Sequence, residues 1–357
     1  MLGTRTPRLE LDPTVAELRF RRLTAALPHT PVHYTVAANP DPALLQALAS
    51  AGCRFAVSGL DELRAVVDAG ARAADLVCCG DLHRRADLVA AWRLGVRFFV
   101  VSSSMQTRKL AALAPGAAVL CRVSTSSAQP HPAVGSCPPT VAAGVLLGAH
   151  EAGLQVAGVS VQTGRRDAFA LDASVEAAAR TFDLLSARGI SPWLLDLGGA
   201  LPSRLEETGQ PLPAYAATVE LALRRHFGDH RPRTVLSVGR AIAADTGTLV
   251  TTVVSVERHG DHRRVTLDGA LCMRCLRAAR IRTDDRDGAT GPCALATVAV
   301  RGSGRLPGDL VNLPVSLVEG DEVRLLSAGA CVGCCSPDMT VAVRRPAPAR
   351  YPSLFAC

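Results

Sequence analysis

Between residues 31 and 240, short apolar runs alternate with longer stretches in which apolar side chains recur every three or four positions. Eight runs, at 32–36, 54–57, 76–79, 98–101, 119–123, 156–161, 193–197 and 235–238, have the length and apolar composition of buried strands. The segments between them read as amphipathic helices. Residues 42–51 place Leu44, Leu45 and Leu48 on one stripe, and 175–187 do the same with Phe182, Leu184 and Leu185. Gly52, Gly70, Gly95, Gly153 and Gly189 follow such stretches, where a left-handed residue ends a helix. Eight strands alternating with helices predict an α/β fold, a (β/α)8 barrel of the TIM type. An open doubly wound sheet is the structural alternative.

After residue 240 the pattern changes. Runs at 246–256 and 263–271 flank the polar turn His259-Gly260-Asp261-His262, and β-type runs follow at 296–300, 310–317 and 322–326. They predict a C-terminal antiparallel β domain. Residues 284–291 read as a polar loop, and the first 25 residues as a strand and a helix. The expected division is an N-terminal segment 1–28 packing with the β domain, a barrel over 29–240, and the β domain over 241–357.

Composition narrows the function. Hydrophobic residues make up 48 % of 357 and charged residues 20 %, which supports a large core and excludes disordered and collagen-like classes. No run reaches the roughly 18 uninterrupted apolar residues of a membrane span. The best, 88–101, is broken by Arg93 and Arg97. The N-terminus has no apolar signal region, so the expected location is cytoplasmic, with the twelve cysteines reduced. A net charge of +7 comes from scattered arginines with no basic block, and aromatics are 4 %, which argues against a nucleic-acid partner. Of the 39 basic residues one is lysine, Lys109. Chemistry that needs a lysine amine must use it or do without.

The strand ends carry recognisable phrases. His33-Tyr34-Thr35-Val36-Ala37-Ala38-Asn39 resembles the Tyr-Ala-Val-Lys-Ala-Asn strand of the fold-type-III pyridoxal-phosphate decarboxylases, which handle ornithine, arginine, lysine and diaminopimelate. Arg122 in Leu120-Cys121-Arg122-Val123, the strand end Val159-Ser160-Val161-Gln162-Thr163-Gly164, Leu195-Asp196-Leu197-Gly198-Gly199-Ala200 and Ser237-Val238-Gly239-Arg240 follow in the family's order. Leu267-Asp268-Gly269, Gly302 to Asp309 and Ala328-Gly329-Ala330 echo its β-domain motifs. The resemblance covers nearly the whole chain and implies an alanine racemase-like barrel with its β domain.

The departures from that pattern fall on the residues that do the family's chemistry. Pyridoxal phosphate works as an electron sink once its aldehyde is joined to a lysine, and the matching position holds Ala37. Lys109 falls on a predicted helix, 105–112, and reads as a surface residue. Ser237 stands for the Glu that pairs with the pyridinium nitrogen, and Gln162 for the His that stacks on the ring. Arg165 replaces the Ser of the phosphate turn, Ala200 the third Gly of the phosphate loop, and Cys331 the Tyr near the phosphate. The Cys-acid pair that the family donates across its dimer interface falls on Arg305 and Leu306. A remnant pocket of Arg122, Gln162, Gly198, Gly199, Ser237, Gly239 and Arg240 is still expected, able to take a small anionic ligand from backbone amides and guanidinium groups. Equally, its glycines can serve tight strand-to-loop packing.

The cysteines add a second constellation. Cys272 and Cys275 form one C-x-x-C, and Cys331 and Cys334, followed by Cys335, form another. Four thiolates suit a tetrahedral zinc or an iron–sulfur cluster. A redox dithiol with Cys331 activated, and small apolar packing of a vacated pocket, are the other readings. Cys53, Cys78 and Cys79 read as barrel core, and His259 and His262 as exposed.

The leading expectation is a divergent family member without the lysine chemistry, with pyridoxal phosphate absent or held non-covalently. It would act as a non-catalytic partner, in a homodimer or a heterodimer with a related active decarboxylase, or as a repurposed protein. A zinc or Fe–S enzyme built on the C-x-x-C pairs is the alternative from another class. A basic amino-acid decarboxylase with non-covalent cofactor is the third.

Overall fold

A computed structural model describes residues 6–80, 84–124, 135–161, 168–198, 201, 211–260, 262–271, 280–283, 290–300, 311–330 and 340–343. The chain divides into two compact units, Leu18–Ile242 and Met1–Glu17 with Ala243–Cys357. It begins with β1 (Arg8–Leu11) and α1 (Pro13–Ala26). The barrel then runs β2 (Val32–Thr35), α2 (Pro42–Ser50), β3 (Arg54–Val57), α3 (Leu60–Asp68), β4 (Val77–Cys78), α4 (Arg85–Leu94) and β5 (Phe98–Val101). It continues through α5 (Ser104–Leu113), β6 (Ala118–Val123), α6 (Pro139–Glu151), β7 (Gln155–Val161), α7 (Ala168–Ser186), β8 (Leu194–Asp196), α8 (Leu212–Phe227) and β9 (Arg233–Val238).

All eight predicted strands are present, all neighbours pair in parallel, and β9 closes onto β2 through Val32↔Leu236, His33↔Ser237 and Tyr34↔Val238. A closed barrel buries both strand faces, which is why these runs are nearly continuous in apolar residues. Val77, Val100, Ala118, Leu120, Ala157, Leu194 and Val235 pack together in one cluster. The stripe of α2 is buried at Leu44, Leu45 and Leu48, and Asp41 caps its first turn by accepting from the Ala43 amide at 2.9 Å. The five glycines expected to end helices all have φ between 77° and 106°.

The second unit continues from α9 (Arg240–Ala243) into β10 (Gly247–His259), β11 (His262–Leu271), β12 (Arg280–Arg282), β13 (Thr290–Val300), β14 (Val311–Pro314), β15 (Glu322–Leu326) and β16 (Thr340–Val343). The sheet runs β12-β15-β10-β11-β13-β14, with β1 paired to β10 and to β16. It is antiparallel except at β1–β16 and β11–β13, which are parallel. The departure from a purely antiparallel domain has a topological cause. Between β11 and β13 the chain crosses to the far edge of the sheet to lay β12 beside β15, so β13 returns in the direction of β11. The strand and helix expected in the first 25 residues are β1 and α1, while two strands that periodicity did not reveal, β12 and β16, have three and four residues, too few to show alternation. Leu9, Leu11, Val323 and Leu325 alternate into the core with Leu249, Leu267 and Leu295. Over β1, β10 and β15, Arg8 and Arg324 each bridge Glu10 and Glu322 at 3.0–3.4 Å. Among the described residues no helix is long and apolar enough to cross a membrane.

Candidate functional site

At the C-terminal ends of the barrel strands, polar side chains replace the apolar core. The turn after β2, residues 36–38, carries Ala37 and is clamped from both sides. The buried Tyr34 hydroxyl donates to the Asn39 carbonyl at 2.9 Å, and the Asn39 side chain accepts from the Asp41 amide at 2.9 Å. Ala37 itself is exposed. The side chain that this clamped turn presents is a methyl group.

A belt of polar residues crosses the neighbouring strands. Parallel register aligns Arg122 on β6 with Ser160 on β7 and Asp196 on β8. The Ser160 hydroxyl donates to Asp196 Oδ2 at 2.8 Å, while the Gly198 and Ser237 amides donate to Oδ1 at 3.0 and 3.2 Å. Asp196 is buried, and loss of hydration raises its carboxyl above the ordinary value in spite of these donors. The Ser237 hydroxyl lies beside the same carboxyl, yet its buried Oγ makes no hydrogen bond of normal geometry among the described residues. Arg122 turns its guanidinium to the Cys79 carbonyl, with Nη2 donating at 2.6 Å. The Cys79 thiol is raised by burial, with Arg122 opposing. Cys79 is partly buried and packs against the barrel's apolar cluster, and Cys53 and Cys78 are buried, as expected of core residues.

On the opposite face of β6 a second pair forms. Cys137 bridges to Val123, its amide donating to the Arg122 carbonyl at 2.9 Å. Its thiol meets that of Cys121, and the hydrogen bond between them lowers Cys137 and, with burial, raises Cys121.

Two glycines of the expected pocket, Gly198 and Gly239, lie close against neighbouring atoms. A Cβ on Gly198 would lie 2.6 Å from the Val161 carbonyl oxygen, and one on Gly239 would lie 2.7 Å from Ala38 Cβ and 3.2 Å from the Thr35 carbonyl oxygen. Neither residue has a positive φ. Arg240 opens α9 and is exposed. Lys109 is half-buried on α5, outside the barrel, in the helix that buries Thr107 and Leu110. Gln162, Arg165, Gly199, Ala200, Cys272, Cys275, Arg305, Leu306, Cys331, Cys334 and Cys335 lie outside the described residues. Among the described residues no group of three His, Cys, Asp or Glu is placed to hold a metal.

Residues 15–244 match the model of the pyridoxal-dependent decarboxylases, pyridoxal binding domain. The chain belongs to this family. It is 28 % identical to ornithine decarboxylase of Caenorhabditis elegans over 247 residues, 66 % of this chain and 57 % of that enzyme. It is 30 % identical to diaminopimelate decarboxylase of Pseudomonas aeruginosa over 256 residues, 67 % of this chain and 60 % of that one. The matched stretch thus spans under two thirds of these relatives' length. The fold is shared with the arginine decarboxylase of Paramecium bursaria Chlorella virus bound to agmatine, with TM-score 0.82 at 18 % identity over 96 % of this chain and 97 % of that one. Lysine/ornithine decarboxylase from Vibrio vulnificus complexed with cadaverine has TM-score 0.79 at 22 % identity over 96 % and 95 %.

Within the family barrel, the structure brings Ser160, Gly198 and Ser237 around Asp196, which in the sequence is one letter of a glycine phrase. Its signal was a lone acid inside the apolar run 193–197. The Cys121–Cys137 contact had no signal, because a bridge from outside the strands creates it. The set offers one buried carboxyl that can hold a proton, neutral hydroxyls, and a guanidinium bonded to main chain. The chain's one lysine, Lys109, is on α5, so the set holds no lysine amine to join a pyridoxal phosphate aldehyde and does not fit a covalently held cofactor.

Proposed function

We propose that this chain is a non-catalytic member of the pyridoxal-dependent decarboxylase family, working by binding, as a homodimer or as the partner of a related active decarboxylase. The observation that carries this reading is Ala37, a methyl group exposed on the clamped turn after β2. An imine needs a primary amine, and the single lysine of the chain is on the outer helix α5. Two further points support it. Ser237 presents an uncharged hydroxyl where an acid would hold a pyridinium proton. Asp196, the buried carboxyl of the belt, is already engaged by Ser160, Gly198 and Ser237.

The test is release of CO2 from ornithine, lysine, arginine and diaminopimelate by the purified chain supplied with pyridoxal phosphate. No release above the blank is expected, and borohydride followed by peptide mass mapping should find no cofactor adduct within the barrel mouth. Turnover with any of the four substrates would overturn the reading in favour of a decarboxylase using non-covalent cofactor. Zinc or iron co-purifying in stoichiometric amount, and lost in Cys272→Ser and Cys334→Ser variants, would overturn it in favour of a metal enzyme.

A further inference from the structure

Strand β6 sends alternate side chains to opposite sides. Leu120 belongs to the apolar cluster inside the barrel, so Cys121 and Val123 face away from that cluster. Residues 135–138 lead into α6 and lie along β6 on the way. Cys137 pairs in parallel with Val123, its amide donating to the Arg122 carbonyl at 2.9 Å and its carbonyl accepting from the Ser124 amide at 3.0 Å. That pairing sets the Cys137 side chain on the side of β6 that carries Cys121, and the two thiols meet in a hydrogen bond. The Cys137 thiol also donates to the Ser102 carbonyl at 3.0 Å, which fixes where its sulfur lies.

The two sulfurs are not equivalent. Cys137 is 6 % exposed and Cys121 not at all, so an oxidant arriving from solvent meets Cys137 first. The hydrogen bond from Cys121 favours the thiolate of Cys137, whereas burial disfavours the thiolates of Cys53, Cys79 and Cys121. Thiolate is the nucleophilic form, so the more open sulfur of the pair is also the more reactive. Cys121 waits beside it as a neutral thiol.

We propose that Cys121 and Cys137 form an oxidation site for hydrogen peroxide, closing to a disulfide that ties β6 to the lead into α6. The Cys137 sulfur attacks one peroxide oxygen, the O–O bond breaks, and the leaving hydroxide takes up the Cys137 proton as water. Cys137 is then a sulfenic acid. The Cys121 sulfur attacks it, the S–O bond breaks, and the hydroxyl leaves with the Cys121 proton as a second water. Two thiols are oxidised and one peroxide is reduced. From hydrogen-bond contact the sulfurs close to about 2.05 Å, the length of a disulfide bond. The site stands whether or not the strand-end mouth takes a cofactor.

Trypsin leaves each sulfur on its own peptide: residues 110–122 contain Cys121 and no other cysteine, and residues 123–165 contain Cys137 and no other. The whole chain is reduced, treated with a modest excess of hydrogen peroxide, blocked with N-ethylmaleimide and mapped by mass spectrometry. The two peptides should appear joined, and dithiothreitol before digestion should separate them. In Cys121→Ser the sulfenic acid has no partner, so dimedone should label Cys137 about fivefold more than in wild type. In Cys137→Ser, Cys121 should stay a free thiol that takes the maleimide. Wild type whose two peptides stay unlinked and maleimide-labelled, whose Cys137 joins a different cysteine, or whose Cys137 goes to sulfinic acid beside a free Cys121, would overturn the proposal. If either variant fails to fold, the wild-type map decides the matter alone.

Discussion

The Tyr34 hydroxyl donates to the Asn39 carbonyl at 2.9 Å, spanning the turn that holds Ala37. Tyr34 is fully buried and also meets Phe55 edge to face at 6.3 Å. Hydrogen bonds and ring packing thus hold the turn that presents the Ala37 methyl group.

Removing that hydroxyl isolates its value. Tyr34→Phe keeps the ring packing and removes a buried hydrogen bond to the Asn39 carbonyl, so a loss of about 1 kcal/mol is expected in urea unfolding. An unchanged midpoint would mean the turn is held by packing and the Asn39 side chain alone.

Gly198 and Gly239 separate two explanations of the glycine phrases. If close backbone approach requires them, Gly198→Ala and Gly239→Ala should each cost about 1–3 kcal/mol, because the new Cβ meets atoms at 2.6 and 2.7 Å. Wild-type stability in both variants would instead assign them to an anion cradle.

Asp196 makes stability depend on pH in a direction opposite to most carboxylates. Its folded pKa lies above the ordinary 3.8, so the native state binds the extra proton and stability from this group falls as pH rises through the folded value. Asp196→Asn keeps an acceptor for the Gly198 and Ser237 amides and cannot ionise. Its stability relative to wild type should therefore increase between pH 4 and 8, measured by urea unfolding across that range. A difference that stays constant with pH would count against a raised carboxyl.

His33 acts with the other sign. Burial, aided by the Arg54 charge, lowers it from 6.5 to about 4, so the unfolded state binds more protons between those values. Acidification from pH 6.5 to 4 should remove stability on the order of 3 kcal/mol, and His33→Leu should flatten that limb. Direct NMR titration of the imidazole near 6.5 in the folded protein would refute the shift.

What the sequence determined by itself was the architecture. Runs such as 54–57 and 98–101 are apolar on both faces, and a strand buried on both faces has few alternatives to the middle of a barrel. The phrase from Tyr34 to Asn39 was also legible, as a resemblance to the family's strand, and so was the methyl group at position 37, whereas the hydrogen bond that spans the turn was not. Tertiary structure decided the rest, because those contacts join residues distant in the chain. Register across β6, β7 and β8 sets Arg122, Ser160 and Asp196 in one row, although 38 and 36 residues separate them in sequence. Barrel closure makes His33 a buried imidazole, where sequence showed one polar letter in an apolar run. Burial is a property of the closed barrel, and it raises Asp196, lowers His33 and leaves the glycines without room for a side chain.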